Sequence, residues 1–180
     1  SSNMIADRLS QKFEAKLQKE MEQYRANLDG RIHITKAQYD AEFEIYRALS
    51  KAFFELIVKL NTIFSLQYRP IDENYARNTK KEYDKYCNVL EKAQNVQNLL
   101  YENGAFIPEY LYNKYDALFD DISAIFWEYS DLLQKTNPGD IVFDYEWLEA
   151  RHIKLKEIRN SFISLNSDLR AYLQELTVVE

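Results

Sequence analysis

Glu149 and His152 are the two residues of this sequence whose types and spacing best fit metal chemistry. Glu-x-x-His places both side chains on one face of a helix, and carboxylate-bridged di-iron bundles combine two such pairs with a glutamate from each of two further helices. The second pair is missing, because Gly30 stands at the required offset before His33, the only other histidine. A carboxylate/His metal enzyme is therefore the remote alternative. We predict a protein that is not an enzyme, with no catalytic residue, metal ligand or cofactor.

Other chemical signals are weaker. Asp116, Asp120 and Asp121 could supply metal oxygens or an acid–base pair. They are out of phase with the apolar residues Leu118 and Ile122 of the same segment, so we expect a solvated helix face. The sequence contains no glycine-rich phosphate loop, no nucleophile elbow and no Cys-x-x-Cys pair.

Charge and cysteine content restrict the partners. The net charge is -6, and basic residues are interleaved with acidic ones, which disfavours a nucleic-acid partner. The small basic patch of Lys80, Lys81 and Lys85 is interrupted by Glu82 and Asp84. A lone cysteine excludes an intramolecular disulfide and favours a reducing, cytoplasmic compartment.

Helix breakers are rare, with three glycines and three prolines among 180 residues, so the chain is predicted to be all-α with little room for hairpins. Short turns at Arg69-Pro70, Asn103-Gly104 and Asn137-Pro138-Gly139 separate the apolar segments. Because short loops join antiparallel neighbours, residues 45–180 are predicted to form an up-down four-helix bundle. Its helices are expected at about 45–67, 72–102, 108–136 and 141–177.

An apolar stripe near the N-terminus repeats every eleven residues, in steps of four, four and three. Its members are Phe13, Leu17, Met21, Tyr24, Leu28, Ile32, Thr35, Tyr39 and Phe43. A period of about 3.67 residues per turn is typical of a long helix whose apolar face runs nearly straight. We therefore predict a coiled-coil-like helical stalk over 1–44 that makes the protein a homo-oligomer. The predicted interface consists of Phe13, Leu17, Met21, Tyr24, Leu28 and Ile32.

One feature favours a break inside the stalk. Gly30 is followed by Thr35-x-x-Gln38, which matches the capping box that begins many helices. The stripe nevertheless passes through Thr35 in phase, and a glycine costs only about 1 kcal/mol inside a helix. We therefore expect one continuous or kinked helix from about Met4 to Gln67.

Residues 30–54 contain the motif Ile-Thr-Lys followed by Tyr-Asp-Ala-Glu-Phe-Glu-Ile-Tyr-Arg-Ala-Leu-Ser. With this motif, with Phe106-Ile107-Pro108-Glu109 and with its Leu165–Leu176 end, the chain resembles a group of uncharacterised bacterial proteins over most of its length. The resemblance implies no activity and no functional residue. It does imply an N-terminal transmembrane helix, absent from this chain, ahead of a charged stalk and a helical bundle.

The implied membrane segment has a predicted orientation. Arg8, Lys12, Lys16 and Lys19 would follow it directly, and basic residues within about 15–20 positions of a span favour the cytoplasmic side. The expected location is the cytoplasm, at the inner face of the inner membrane.

Two functional hypotheses remain besides the metal enzyme. The leading one is a non-enzymatic, self-associating scaffold or interaction protein, with an unknown protein as a further partner. The alternative is a helical bundle that binds a small molecule or a peptide, which predicts a cavity near Tyr86, Tyr115 or Trp127 instead of a filled core.

Overall fold

The computed structural model describes residues 2–29, 32–66, 74–136 and 140–179, and the side chains of all of these except 2, 23–32, 74–77 and 140. Within these residues most of the chain is helical, which confirms the all-α prediction. The helices are α1 (Ser2–Asp29), α2 (Lys36–Phe64), α3 (Thr79–Asn103), α4 (Glu109–Gln134) and α5 (Tyr145–Glu175).

The described residues also contain four short strands, three between helices and one after α5, and none of them was predicted. They are β1 (Ile32–Thr35), β2 (Asn74–Asn78), β3 (Asp140–Asp144) and β4 (Leu176–Val179). β1 pairs in parallel with β4, and β2 pairs antiparallel with β3. The side chains of β3 show why this segment forms a strand. Ile141 and Phe143 are buried while Val142 between them is exposed, which is the alternation expected of a strand with one face in the core.

The chain forms two compact units. The smaller unit contains Ser1–Tyr39 and Tyr172–Glu180, and therefore α1 and the β1–β4 pair. The larger one, Asp40–Ala171, contains most of α2 and α5, all of α3 and α4, and the β2–β3 pair. We call the larger one the four-helix unit.

The predicted continuous helix from Met4 to Gln67 is wrong, because α1 ends at Asp29 and α2 begins at Lys36. The Thr35 N–H donates to Gln38 Oε1 and the Gln38 N–H donates to Thr35 Oγ1, each at 3.2 Å. This reciprocal capping box satisfies two N–H groups at the start of α2. The backbone of β1 is hydrogen-bonded to β4, so these residues form a strand and do not continue the helix. Gly30 lies outside the described residues.

Two other predicted helix starts are also corrected. The predicted N-cap of the second helix, Asp72, lies outside the described residues. The helix α3 instead begins after β2, and Asn78 is its N-cap, because the Lys81 N–H donates to Asn78 Oδ1 at 3.1 Å. The helix expected from residue 141 begins after β3, where the Glu146 N–H donates to Asp144 Oδ1 at 3.1 Å.

Aromatic rings of α2 lie at the centre of the four-helix unit. The Phe53 ring stacks on Tyr115 of α4 at a centroid distance of 5.7 Å, and the Phe64 ring meets Tyr129 edge-on at 6.0 Å. Because both pairs follow the same order along the chain, α2 and α4 run in the same direction.

The other two helices run in the opposite direction. The rings of Phe53 and Phe64 also meet Phe162 and Trp147 of α5, at 6.4 and 6.3 Å and in reversed order. Two contacts between α3 and α4, described below, are reversed in the same way. Helices that follow one another in the four-helix unit are therefore antiparallel.

The β2–β3 pair is expected to contribute to stability through its buried aromatic residue. Phe143 is fully buried, and its ring stacks on Tyr129 at 6.2 Å. We expect Phe143→Ala to lower the free energy of unfolding by about 3–5 kcal/mol in urea titrations. Val142→Thr, at an exposed position of the same strand, should change it by less than about 0.5 kcal/mol. Similar losses in the two variants would contradict this account of β3.

Candidate functional site

The most extended candidate surface is the apolar stripe on α1. Every side chain from Asn3 to Glu22 is exposed. The large apolar side chains among them are Met4, Ile5, Leu9, Phe13, Leu17 and Met21. The last five recur every four residues, each rotated by about 40° from the one before, so they form a band that winds slowly around the helix. A surface of this kind marks a site of association more often than a free surface.

Part of the predicted interface lies on this surface. Phe13 is 68% exposed, Leu17 is 47% exposed and Met21 is 46% exposed. The other predicted residues, Tyr24 and Leu28 in α1 and Ile32 in β1, have side chains outside the described residues. Pairing with an identical copy stays a prediction.

A buried polar cluster joins α3 to α4. Glu82 is 1% exposed, and one of its carboxylate oxygens accepts a hydrogen bond from Lys85 Nζ at 3.0 Å. Tyr129 OH lies 2.8 Å from the other carboxylate oxygen and 2.9 Å from the Glu82 carbonyl, and its single proton can be donated to one of them at a time. These hydrogen bonds offset the free-energy cost of removing the buried carboxylate from water. The cluster therefore fixes α3 against α4.

The cluster was not predicted, although the sequence carries a signal for it. Glu82 lies seven residues before Val89 and fourteen before Val96, and both valines are fully buried. An acidic residue in phase with buried valines indicates a carboxylate that must find partners in the core.

A groove opens beside this cluster, between the start of α3 and the end of α4. The Tyr86 ring stacks on Tyr83 at 5.9 Å and on Phe126 at 5.2 Å. The groove encloses about 470 Å³, and its lining residues are Thr79, Lys80, Tyr83, Tyr86, Ser130, Leu133 and Gln134. This volume is within the range of small-molecule sites, roughly 300–1,000 Å³.

The other two aromatic residues expected beside a cavity have different surroundings. Tyr115 is fully buried against Phe53, and its hydroxyl has no hydrogen-bond partner among the described residues. Burial raises the pKa of this hydroxyl well above its ordinary value, so it stays neutral. Trp127 is 58% exposed and lines a shallower depression on α4.

The residues considered for metal chemistry are not brought together. His152 Nδ1 lies 3.0 Å from the carbonyl oxygen of Phe64, the last residue of α2, and the tautomer protonated at Nδ1 donates to it. Glu149 is exposed, as are Asp116, Asp120 and Asp121. Among the described residues, no three His, Cys, Asp or Glu side chains are grouped so that they could hold a metal ion.

Comparison with known protein families, curated proteins and solved structures finds no match to this chain. In the part of the chain that the structure describes, no helix is both long and apolar enough to cross a membrane.

The two buried tyrosines make a matched test of the polar cluster. Tyr129→Phe removes a donor from the buried Glu82 carboxylate and should lower the free energy of unfolding by about 1–3 kcal/mol. Tyr115→Phe removes a buried hydroxyl that has no partner among the described residues, so stability should be unchanged or higher. Thermal or urea unfolding measures both variants, and a larger loss in Tyr115→Phe would contradict the assignment.

Proposed function

We propose that this protein is a non-enzymatic, self-associating scaffold or interaction protein whose association surface is the apolar stripe of α1. The observation that carries the proposal is the row of large apolar side chains, from Ile5 to Met21, that are exposed on α1. A single helix is only marginally stable in water without packing of its apolar face. A second copy of α1 supplies a matching apolar face.

The magnitudes favour association that depends on concentration. Full burial of a large apolar side chain is worth about 1.5–3 kcal/mol. Ile5, Leu9, Phe13, Leu17 and Met21 from two copies, partly buried, therefore yield on the order of 10 kcal/mol. Association costs about 4–15 kcal/mol in lost freedom of motion, so we expect a reversible oligomer and no permanent one.

Substitutions on opposite sides of α1 test this surface. We expect Phe13→Asp with Leu17→Asp to convert an oligomer into a monomer, as measured by light scattering over a concentration series, because the charges would be buried at the interface. Gln11→Asp with Ala15→Asp places the same charges away from the stripe and should leave the oligomer in place. Urea unfolding should show an unchanged four-helix unit in both variants.

An unsubstituted chain that is monomeric at all concentrations would contradict the proposal. Equal dissociation by the two double variants would also contradict it, because the effect would then come from helix destabilisation and not from the stripe.

The proposal includes a location in the bacterial cytoplasm, at the inner face of the inner membrane. The basic residues Arg8, Lys12, Lys16 and Lys19 on α1 and the lone, exposed Cys87 support it. Fractionation of the bacterial gene product tests it: recovery from the inner membrane is expected, and recovery from the periplasm would contradict it.

The groove beside Tyr83 and Tyr86 supports a second candidate function, the binding of a small aromatic molecule. Its aromatic floor would stack on a planar ligand, and Lys80 on its lining would favour a negatively charged one. This candidate does not depend on α1.

An aromatic anion, anilinonaphthalene sulfonate, can probe this groove. In the Phe13→Asp/Leu17→Asp background, which removes apolar contact at α1, we expect Tyr83→Ala to reduce the bound fluorescence severalfold. Tyr101→Ala, at another exposed tyrosine of α3, should leave it unchanged. Equal fluorescence in the two variants would count against the groove as a binding site.

A further inference from the structure

We infer that two copies of α1 pair in parallel and in register. The inference rests on the proposed function and specifies the direction of its partner. Apolar stripes alone leave that direction open, because two stripes can bury similar area in either direction. The charges beside the stripe distinguish the two directions.

From Asp7 to Lys19, the charged residues of α1 are segregated by sign on the two sides of the stripe. One side, which we call the basic edge, contains Arg8, Lys12, Lys16 and Lys19, at helical spacings of four, four and three. Asp7 and Glu14, seven residues apart, lie on the other side, the acidic edge. The two edges are separated by the stripe because Lys12 immediately precedes Phe13 and Glu14 immediately follows it, each rotated by about 100° around the helix.

Two residues of α1 depart from this segregation. Glu20 lies one turn beyond Lys16 on the basic edge and lowers the net charge of that edge from +4 to +3. Arg25, eleven residues after Glu14, lies at nearly the same position around the helix and changes the net charge of the acidic edge from -2 to -1. The opposite signs of the two edges are therefore preserved, and the side chains from Asp7 to Glu20 are exposed.

Symmetry determines which edges meet. In a parallel pair the two-fold axis runs along the helices, so the basic edge of one copy faces the acidic edge of the other on both sides of the interface. In an antiparallel pair the axis is perpendicular to the helices, so each edge faces its own counterpart. When the two helices cross between Leu17 and Gln18, Lys16 and Lys19 of one copy would then lie opposite Lys19 and Lys16 of the other.

Each exposed ion pair contributes little by itself and is weakened by salt. The apolar contribution is similar in both directions, however. The orientation therefore depends on the charges, which form several attractive pairs in the parallel arrangement and several repulsive ones in the antiparallel arrangement. Parallel pairing is the arrangement in which no edge faces its like.

Distances between spin labels test the direction. In a Cys87→Ser background of the full chain, single cysteines at Asn3 and at Gln18 carry the labels, and light scattering gives the mass of each sample. A parallel pair should give a short inter-copy distance at both positions, set by helix axes about 8–10 Å apart. An antiparallel pair that crosses near Gln18 should give a short distance there and about 45 Å at Asn3, since fifteen residues of helix span about 22 Å.

The outcomes separate this inference from the proposed function. A dimer with a long Asn3 distance and a short Gln18 distance would overturn parallel pairing and leave self-association through α1 intact. A monomeric chain, or a dimer with distances longer than about 45 Å at both positions, which no crossing point within α1 can give, would overturn the proposed function itself.

Charge reversal of one edge gives an independent readout. Lys12→Glu, Lys16→Glu and Lys19→Glu together make both edges acidic, which should weaken a parallel pair about tenfold, the combined effect of a few exposed ion pairs. Adding Asp7→Lys and Glu14→Lys restores opposite edges and should restore the affinity. In an antiparallel pair the first variant replaces one like-charged contact by another, so unchanged affinity would overturn the inference.

Discussion

Burial of the apolar face of α2 is the interaction on which the four-helix unit depends. Phe53 and Phe64 of this helix meet aromatic rings of both α4 and α5. Helix α1 has the same kind of periodic apolar side chains, but those whose side chains are described are exposed. The same physical requirement that holds α2 in place favours a partner for α1, and the partner that we propose is a second copy.

The sequence was sufficient for the fold class and for most helix ends, because glycine and proline are rare and the turns at Asn103-Gly104 and Pro108 are marked by strong signals. It misled where two signals competed. At Thr35 the phase of the apolar stripe favoured a continuous helix, whereas the capping box and the pairing with β4 begin α2 there. The β1–β4 pair joins residues 32–35 to 176–179, and contacts of that separation leave no local pattern.

The candidate surfaces could be predicted to different extents. The apolar stripe in the sequence identified Phe13, Leu17 and Met21 as interface candidates, and their side chains are exposed on α1. The sequence shows that Glu82 is in phase with the buried Val89, which indicates a buried carboxylate. It does not identify Tyr129 as the partner, because 47 residues separate the two. The groove at Tyr86 depends on where α3 and α4 diverge, and side-chain types alone do not specify that geometry.

Hydrogen exchange of the α1 backbone over a series of protein concentrations would test most directly whether α1 is an intermolecular surface. If two copies cover each other's stripe, amides of α1 should exchange rapidly in dilute protein and become protected as concentration rises, while amides around Phe53 stay protected throughout. Rapid exchange of α1 at every concentration, or protection that does not depend on concentration, would contradict association through this helix.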